Sequence, residues 1–139
     1  MWGIILALIS GALMSIQGVF NTEVTKQSST WTTSTFVQAT GFLACLIVWF
    51  VTEREQSFTM LLKVSPKYLL LGGIIGAAIT FTVIKSVASL GPAQSAMLIV
   101  ASQSVVSYLI EVFGLFGVEK TGFAWIKLLG VVLFVAGLL

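Results

Sequence analysis

Long apolar segments divide the sequence, and each is close to the length that an α-helix needs to cross a lipid bilayer. About 20 residues, at 1.5 Å per residue, span the roughly 30 Å of hydrocarbon. Five segments approach this length: residues 2–20, 32–51, 68–89, 92–116 and 123–139. The fourth segment is the most polar and the last is the shortest, so a count of five membrane-spanning helices depends most on these two.

The composition supports a membrane location. Hydrophobic residues make up 58% of the 139 residues and charged residues 9%, whereas soluble domains are about 45–50% apolar and about 25% charged. We therefore predict an all-α integral membrane protein with a single transmembrane domain over residues 1–139. No basic residues precede the first apolar segment, which is longer than a signal peptide needs, so we expect it to remain as a spanning helix.

The ionisable residues argue against several function classes. The sequence contains no His, one Cys and no carboxylate cluster with metal-ligand spacing, so we expect no metal and no cofactor. It has no Ser/His/Asp set and no phosphate-binding loop, so we do not expect an enzyme. A net charge of +2 from scattered Lys and Arg does not indicate a nucleic-acid partner. Cys45, inside an apolar segment, is expected to be a small core residue.

Basic residues are unequally divided between the two sides of the membrane. With five spans, the N-terminal side holds Arg54, Lys63, Lys67, Lys120 and Lys127. The other side holds Lys26, and Lys85 near the end of the third segment is a candidate second. Cytoplasmic loops carry the excess of Lys and Arg, so this bias predicts the N-terminus inside the cell and the C-terminus outside.

Polar side chains form a stripe on the first apolar segment. Ser10, Met14, Gln17 and Asn21 follow the spacing i, i+4, i+7, i+11, which places them on one face of a helix. An unsatisfied amide in hydrocarbon costs several kcal/mol, so this face must meet protein or a wet cavity.

A second polar arc lies on the fourth segment, where the residues concerned are Gln103, Ser104, Ser107 and Glu111. Two polar faces on different helices of one small protein suggest a shared cavity. We predict that Gln17, Asn21, Gln103 and Ser107 line it. The alternative is that the amides only form hydrogen bonds between helices, each worth about 0.6 kcal/mol in membranes.

Glu111 has two candidate roles. It lies eight residues from the mid-membrane Gln103, about 12 Å along a helix axis, which places it near the inner boundary. It can form a structural ion pair with Lys120 or Lys127, or it can carry a proton or couple charge to transport.

Small residues recur on the first and third segments. Gly3 and Gly11 belong to a stripe with a small residue at every fourth position, and Gly72, Gly73 and Gly76 form a comparable face. Small residues allow close approach of membrane helices, so we expect these glycines to be packing positions.

The order of these features resembles one repeat of the drug/metabolite transporter superfamily, and most closely its YdcZ-type proteins. The resemblance rests on QGVFN at residues 17–21, LLGGIIGA at 70–77, LGPA at 90–93 and the polar run that continues into FGLFGVEK. The closing GVVLFVAGLL is similar to the last helix of EamA-type repeats. The resemblance covers essentially the whole chain.

The resemblance implies a five-helix repeat in a bacterial inner membrane that exports small organic solutes by alternating access. Fused copies of an odd-numbered repeat lie in opposite orientations, with the substrate site between inverted halves. A lone repeat implies an antiparallel dimer with a second copy or a paired homologue. The bias of basic residues favours the homologue.

Two other functions stay open at this point: a passive channel for ions or solutes, and an accessory membrane subunit without transport of its own. The small multidrug relatives place a carboxylate on their first helix, whereas Gln17 and Asn21 stand here. Neither amide binds and releases a proton near neutral pH, so proton exchange at this helix is not expected.

Overall fold

The computed structural model describes residues 1–138, and every regular element in that range is helical. The α-helices are α1 (Trp2–Lys26), α2 (Thr30–Thr52), α3 (Gly72–Leu90), α4 (Pro92–Phe113) and α5 (Trp125–Leu138). Short 3₁₀ helices cover Phe58–Lys63, Lys67–Leu71 and Leu115–Gly117. The all-α prediction is confirmed.

Four helical stretches are long and apolar enough to cross a membrane: α1, α2, the continuous run Lys67–Leu90 and α4. The last helix, α5, has 14 described residues and is therefore roughly 21 Å long at 1.5 Å per residue. Its predicted last residue, Leu139, lies outside the described residues. The count of five spans therefore stays a prediction.

Helix ends follow local chemistry. Gly91 has φ 82°, a conformation that glycine adopts readily, and its N–H donates to the Val87 carbonyl at 2.9 Å. Pro92 then opens α4, where a backbone N–H would have no helical partner in any case.

Helix α1 is longer than the sequence predicts: it continues beyond residue 20 and ends at Lys26. The polar side chains there support the helix, since Lys26 pairs with Glu23 at 2.6 Å.

The chain divides into two compact units, Met1–Pro92 and Ala93–Leu139. In the first unit, α1 packs against α2 and α3, and α2 packs against α3. A Cβ at Gly18 would lie 3.3 Å from Val83 Cγ1 and 3.8 Å from Val87 Cγ2. Glycine therefore allows α1 and α3 to approach closely here, and Ile84 beside this contact on α3 is 1% exposed.

Hydroxyl groups connect the end of α1 to the start of α2. Thr25 Oγ1 donates to Thr33 Oγ1 at 2.9 Å, and Ser28 Oγ lies 3.1 Å from the same oxygen. Thr22 Oγ1 donates back to the Gly18 carbonyl at 2.8 Å. The bonds satisfy the buried Thr22 and Thr33 hydroxyls. The two bonds to Thr33 also join the helices, so the turn between them is held by side chains as well as by the backbone.

Two further contacts join α3 to α2. Gln38 Nε2 donates to Thr80 Oγ1 at 3.1 Å. This hydrogen bond joins two helices whose sequences are mostly apolar. Trp31 stacks on Phe81 with ring centroids 4.8 Å apart, and Lys85 Nζ lies 5.8 Å from the Phe81 ring centroid. The Lys85 ammonium thus has a cation–π contact near the end of α3.

In the second unit, the chain after α4 turns back towards that helix. Gly114 has φ 62°, and a Cβ there would lie only 3.0 Å from Lys120 Cβ. The Thr121 N–H donates to the Glu111 carbonyl at 3.2 Å, and Tyr108 Oη donates to the Ala124 carbonyl at 3.2 Å. These bonds hold the start of α5 beside α4.

Little apolar surface is covered by the chain itself. Among residues 1–138, the buried apolar side chains are Ile84, Ala101 and Tyr108. Cys45 is exposed on α2, so the prediction that it is a core residue is wrong for the single chain, because α2 presents that position outward. An outer surface of this kind requires lipid or another chain to cover it.

The predicted packing glycines face open space within the chain. No other part of the chain comes within 4 Å of a Cβ built on Gly3, Gly11, Gly72 or Gly73, and one at Gly76 would meet only Gln38 Nε2 at 3.9 Å. Their role in packing stays a prediction, and it concerns a surface that the chain leaves uncovered.

The contact at Gly18 yields a stability prediction. Gly18→Leu should lower the free energy of unfolding by about 1–3 kcal/mol, because its side chain must displace Val83 or push α1 away from α3. Reversible unfolding in mixed detergent micelles measures the change. Gly137→Leu on α5 is the control and should change stability little, since its Cβ has open space and the residue lies outside the predicted packing faces. Equal losses in both variants would contradict the close α1–α3 contact.

Candidate functional site

The polar stripe predicted on α1 lines an open groove of about 710 Å³ in the first unit. One wall is α1, which contributes Ser10, Met14, Gln17 and Asn21 together with Leu13, Ile16 and Phe20. The other wall is α2, which contributes Val37, Thr40, Gly41 and Ala44. The spacing of the stripe and the packing of α1 on α2 thus bring the two amides into one groove.

The groove is mostly apolar with a few polar groups. Gln17 is exposed, whereas Asn21 is only 8% exposed and is held in the last turns of α1. Thr40 Oγ1 donates to the Phe36 carbonyl at 2.9 Å, so its hydroxyl is engaged by its own helix. Each amide offers both donors and an acceptor. Such a groove suits a small polar solute with an apolar part.

A second cavity of about 390 Å³ lies in the second unit, between α4 and α5. Its lining residues are Ser104, Ser107, Tyr108 and Glu111 from α4 and Lys127, Gly130, Val131 and Phe134 from α5. Glycine at position 130 leaves room opposite the α4 hydroxyls. The cavity therefore combines hydroxyl groups, an aromatic wall and two opposite charges.

Glu111 Oε2 lies 3.9 Å from Lys127 Nζ. This is one of the two ion pairs predicted for Glu111, whereas Lys120 packs against Gly114. The two side chains are 47% and 56% exposed, and a pair this open contributes little to stability, about 0–1 kcal/mol. An ion pair that is long and open can be exchanged for other partners.

The structure brings some predicted site residues together. Gln17 and Asn21 share the groove on α1, and Ser107 and Glu111 share the cavity on α4. Gln103 is exposed and is not among the residues that line that cavity. The single cavity predicted for Gln17, Asn21 and Gln103 stays a prediction.

Sequence reasoning missed three polar positions. Gln38 forms the α2–α3 hydrogen bond, Thr40 lines the groove, and Tyr108 bonds to the start of α5. The signal for Gln38 was the same as for Gln17, an amide within an apolar segment. Thr40 and Tyr108 carried no such signal, because Thr and Tyr are common in membrane helices for other reasons.

Comparison with known proteins decides the family. Residues 2–139 match the drug/metabolite transporter family described as "Putative inner membrane exporter, YdcZ". The chain belongs to this family. The resemblance inferred from the motifs is confirmed, and it identifies a multi-pass inner-membrane protein of a transporter family rather than of an enzyme family. No curated protein and no solved structure matches the chain.

The geometry of the ion pair predicts a weak coupling energy. A double-mutant cycle with Glu111→Gln and Lys127→Gln should give about 1 kcal/mol or less, because both groups are about half exposed. Unfolding in mixed micelles supplies the four free energies. The same cycle with Lys120→Gln in place of Lys127→Gln is the control and should give none. A Glu111–Lys127 coupling of about 3 kcal/mol or more would show a dry, fixed pair instead.

Proposed function

We propose that this chain is one half of an exporter of small organic solutes that works by alternating access at the interface of an inverted dimer. The family supplies the class, a membrane transporter. The observation that carries the proposal is the groove of about 710 Å³ with Gln17 and Asn21 on one wall. Two amides in an apolar groove bind a polar solute while keeping its carbon skeleton away from water.

The groove is open, so a transport site needs a further wall. A second chain in the opposite orientation would supply it and would cover the apolar surface that this chain leaves exposed. The open glycine faces at Gly3 and Gly11 and at Gly72 and Gly73 suit such a contact, because helices approach closely where side chains are small.

The partner is a second copy or a paired homologue. The bias of basic residues towards the side of the N-terminus predicts that this chain inserts mainly with its N-terminus inside. A homologue with the opposite bias then completes the pair. A homodimer requires that part of the population inserts the other way.

Charge coupling is assigned to Glu111. Its 3.9 Å contact with Lys127 is long, and the adjoining cavity contains the Ser104 and Ser107 hydroxyls. A solute cation or a proton that neutralises Glu111 would release Lys127. If the inward-open and outward-open states bind that cation or proton with different affinity, its binding shifts the equilibrium between them. Gln103, on the same stripe of α4 as Ser107 and Glu111, is proposed to face the solute in the assembled dimer.

The amides give the test. Gln17→Leu should reduce solute flux at least tenfold while the dimer remains intact, because the groove loses the hydrogen-bonding group that orients the solute. Flux is measured in proteoliposomes loaded with labelled amino acids, amines and organic acids, after co-expression with the paired homologue where one is needed.

Gln94→Leu is the matched control, because it makes the same chemical change at an exposed position outside both cavities. It should retain full flux. Unchanged flux in Gln17→Leu would mean that Gln17 only packs between helices and does not bind the solute. Flux that does not saturate with solute concentration and runs at channel-like rates would indicate a passive channel instead of a transporter. No flux of any solute through a complete dimer would favour an accessory subunit.

A further inference from the structure

The segment between α2 and α3, residues 53–71, is not a plain loop. It folds into two 3₁₀ helices, Phe58–Lys63 and Lys67–Leu71. Ser57 caps the first of them by accepting a hydrogen bond from the Thr59 N–H at 3.2 Å. We call residues 53–71 the connecting segment, and the proposed transport mechanism makes no use of it.

One end of the connecting segment is fixed at the end of α2. The Trp49 and Phe58 rings stack with centroids 4.4 Å apart, and Trp49 Nε1 donates to the Gln56 carbonyl at 3.0 Å. Trp49 lies in the last turn of α2, which ends at Thr52. Phe58 is therefore held at the level of the helix end, where Trp side chains of membrane proteins meet the lipid headgroups.

The other end of the connecting segment is fixed at the start of the third apolar run. That run covers Lys67–Leu90, and the Lys67 ammonium donates to the Leu62 carbonyl. Leu62 thus lies beside the first residue of a spanning stretch. Both ends of the connecting segment therefore lie beside the ends of helical stretches that are long and apolar enough to cross a membrane.

The exposed side chains of the connecting segment are of two kinds. Phe58, Met60, Leu61 and Leu62 are all at least half exposed, and Leu62 reaches 75%. Lys63 directly follows them, Lys67 lies four residues further along the chain, and both are exposed. The acidic residues, Glu53 and Glu55, are at the other end of the segment and flank Arg54. Glu53, Arg54 and Glu55 line one pocket with Phe58, Met60 and Leu61, and the charge at the Leu62 end is positive, from Lys63 and Lys67.

We propose that the connecting segment lies in the membrane interface and binds anionic phospholipid headgroups. Phe58, Met60, Leu61 and Leu62 insert at the boundary of the acyl chains, and Lys63 and Lys67 contact lipid phosphates. Amphipathic segments bind membranes through buried apolar area together with electrostatic attraction to anionic lipids. The segment continues into a membrane span at each end, which supports its location in the interface. The two lysines carry the positive charge that attracts anionic headgroups.

Insertion is tested by spin labelling of the full chain in nanodiscs that contain phosphatidylcholine with phosphatidylglycerol. A nitroxide at Leu62→Cys, in a Cys45→Ala background, should be reached by oxygen and shielded from an aqueous nickel chelate. A label at Glu55→Cys is the control and should be reached by the nickel chelate. Nickel access at Leu62 would overturn the proposal, and so would shielding from both reagents, which would mean that protein covers the site.

Headgroup selectivity is tested by native mass spectrometry of the lipids that stay bound. The ratio of retained phosphatidylglycerol to phosphatidylcholine should fall roughly fivefold for each of Lys63→Gln and Lys67→Gln, since one basic residue near a membrane surface contributes that much. Lys26→Gln is the control, because Glu23 already neutralises Lys26 at 2.6 Å. An unchanged ratio in the double variant, or an equal loss in the control, would overturn the assignment of these lysines.

Discussion

The close contact between α1 and α3 at Gly18 is the interaction on which the arrangement of the first three helices depends. With no side chain at position 18, Val83 and Val87 reach the backbone of α1, and Ile84 becomes the most buried large apolar residue of the unit. The hydroxyl bonds of Thr25 and the Gln38–Thr80 bond then orient α2 against this pair. The position of α2 in turn forms the groove along Gln17 and Asn21.

The bilayer explains why so little else is buried. In lipid, apolar side chains gain nothing by leaving the surface, whereas polar groups must be satisfied within the protein. Several described residues follow this rule, since the Thr22 and Thr80 hydroxyls bond back to helix carbonyls and many apolar side chains point outward, although the buried Ser34 hydroxyl has no partner within residues 1–138. The groove of Gln17 and Asn21 is an exception, with polar groups that face a space rather than a partner. This exception is the reason for proposing that the groove is the solute site.

The spacing of residues along the sequence predicted those features that belong to a single helix. The stripe of Gln17 and Asn21 follows directly from 3.6 residues per turn, and the apolar lengths gave the helices. Which faces meet was not predictable, because it depends on contacts between distant segments. Gly3 and Gly11 were predicted to be packing positions and Gly18 was not, yet of these three only Gly18 has neighbours on α3. The sequence left two lysines, Lys120 and Lys127, as candidate partners of Glu111. The turn after α4 places the start of α5 beside α4, and Lys127 on α5 is the one that pairs with Glu111.

The proposed inverted pairing requires an odd number of spans, so the most direct measurement is the location of both termini. Reporters that are active only inside or only outside the cell are fused to each end of the chain in turn. Five spans predict that the fraction of molecules with the C-terminus outside equals the fraction with the N-terminus inside, and the basic residues predict that this fraction is well above half. Both termini on the same side would mean that α5 does not cross, and the inverted-dimer account would be contradicted.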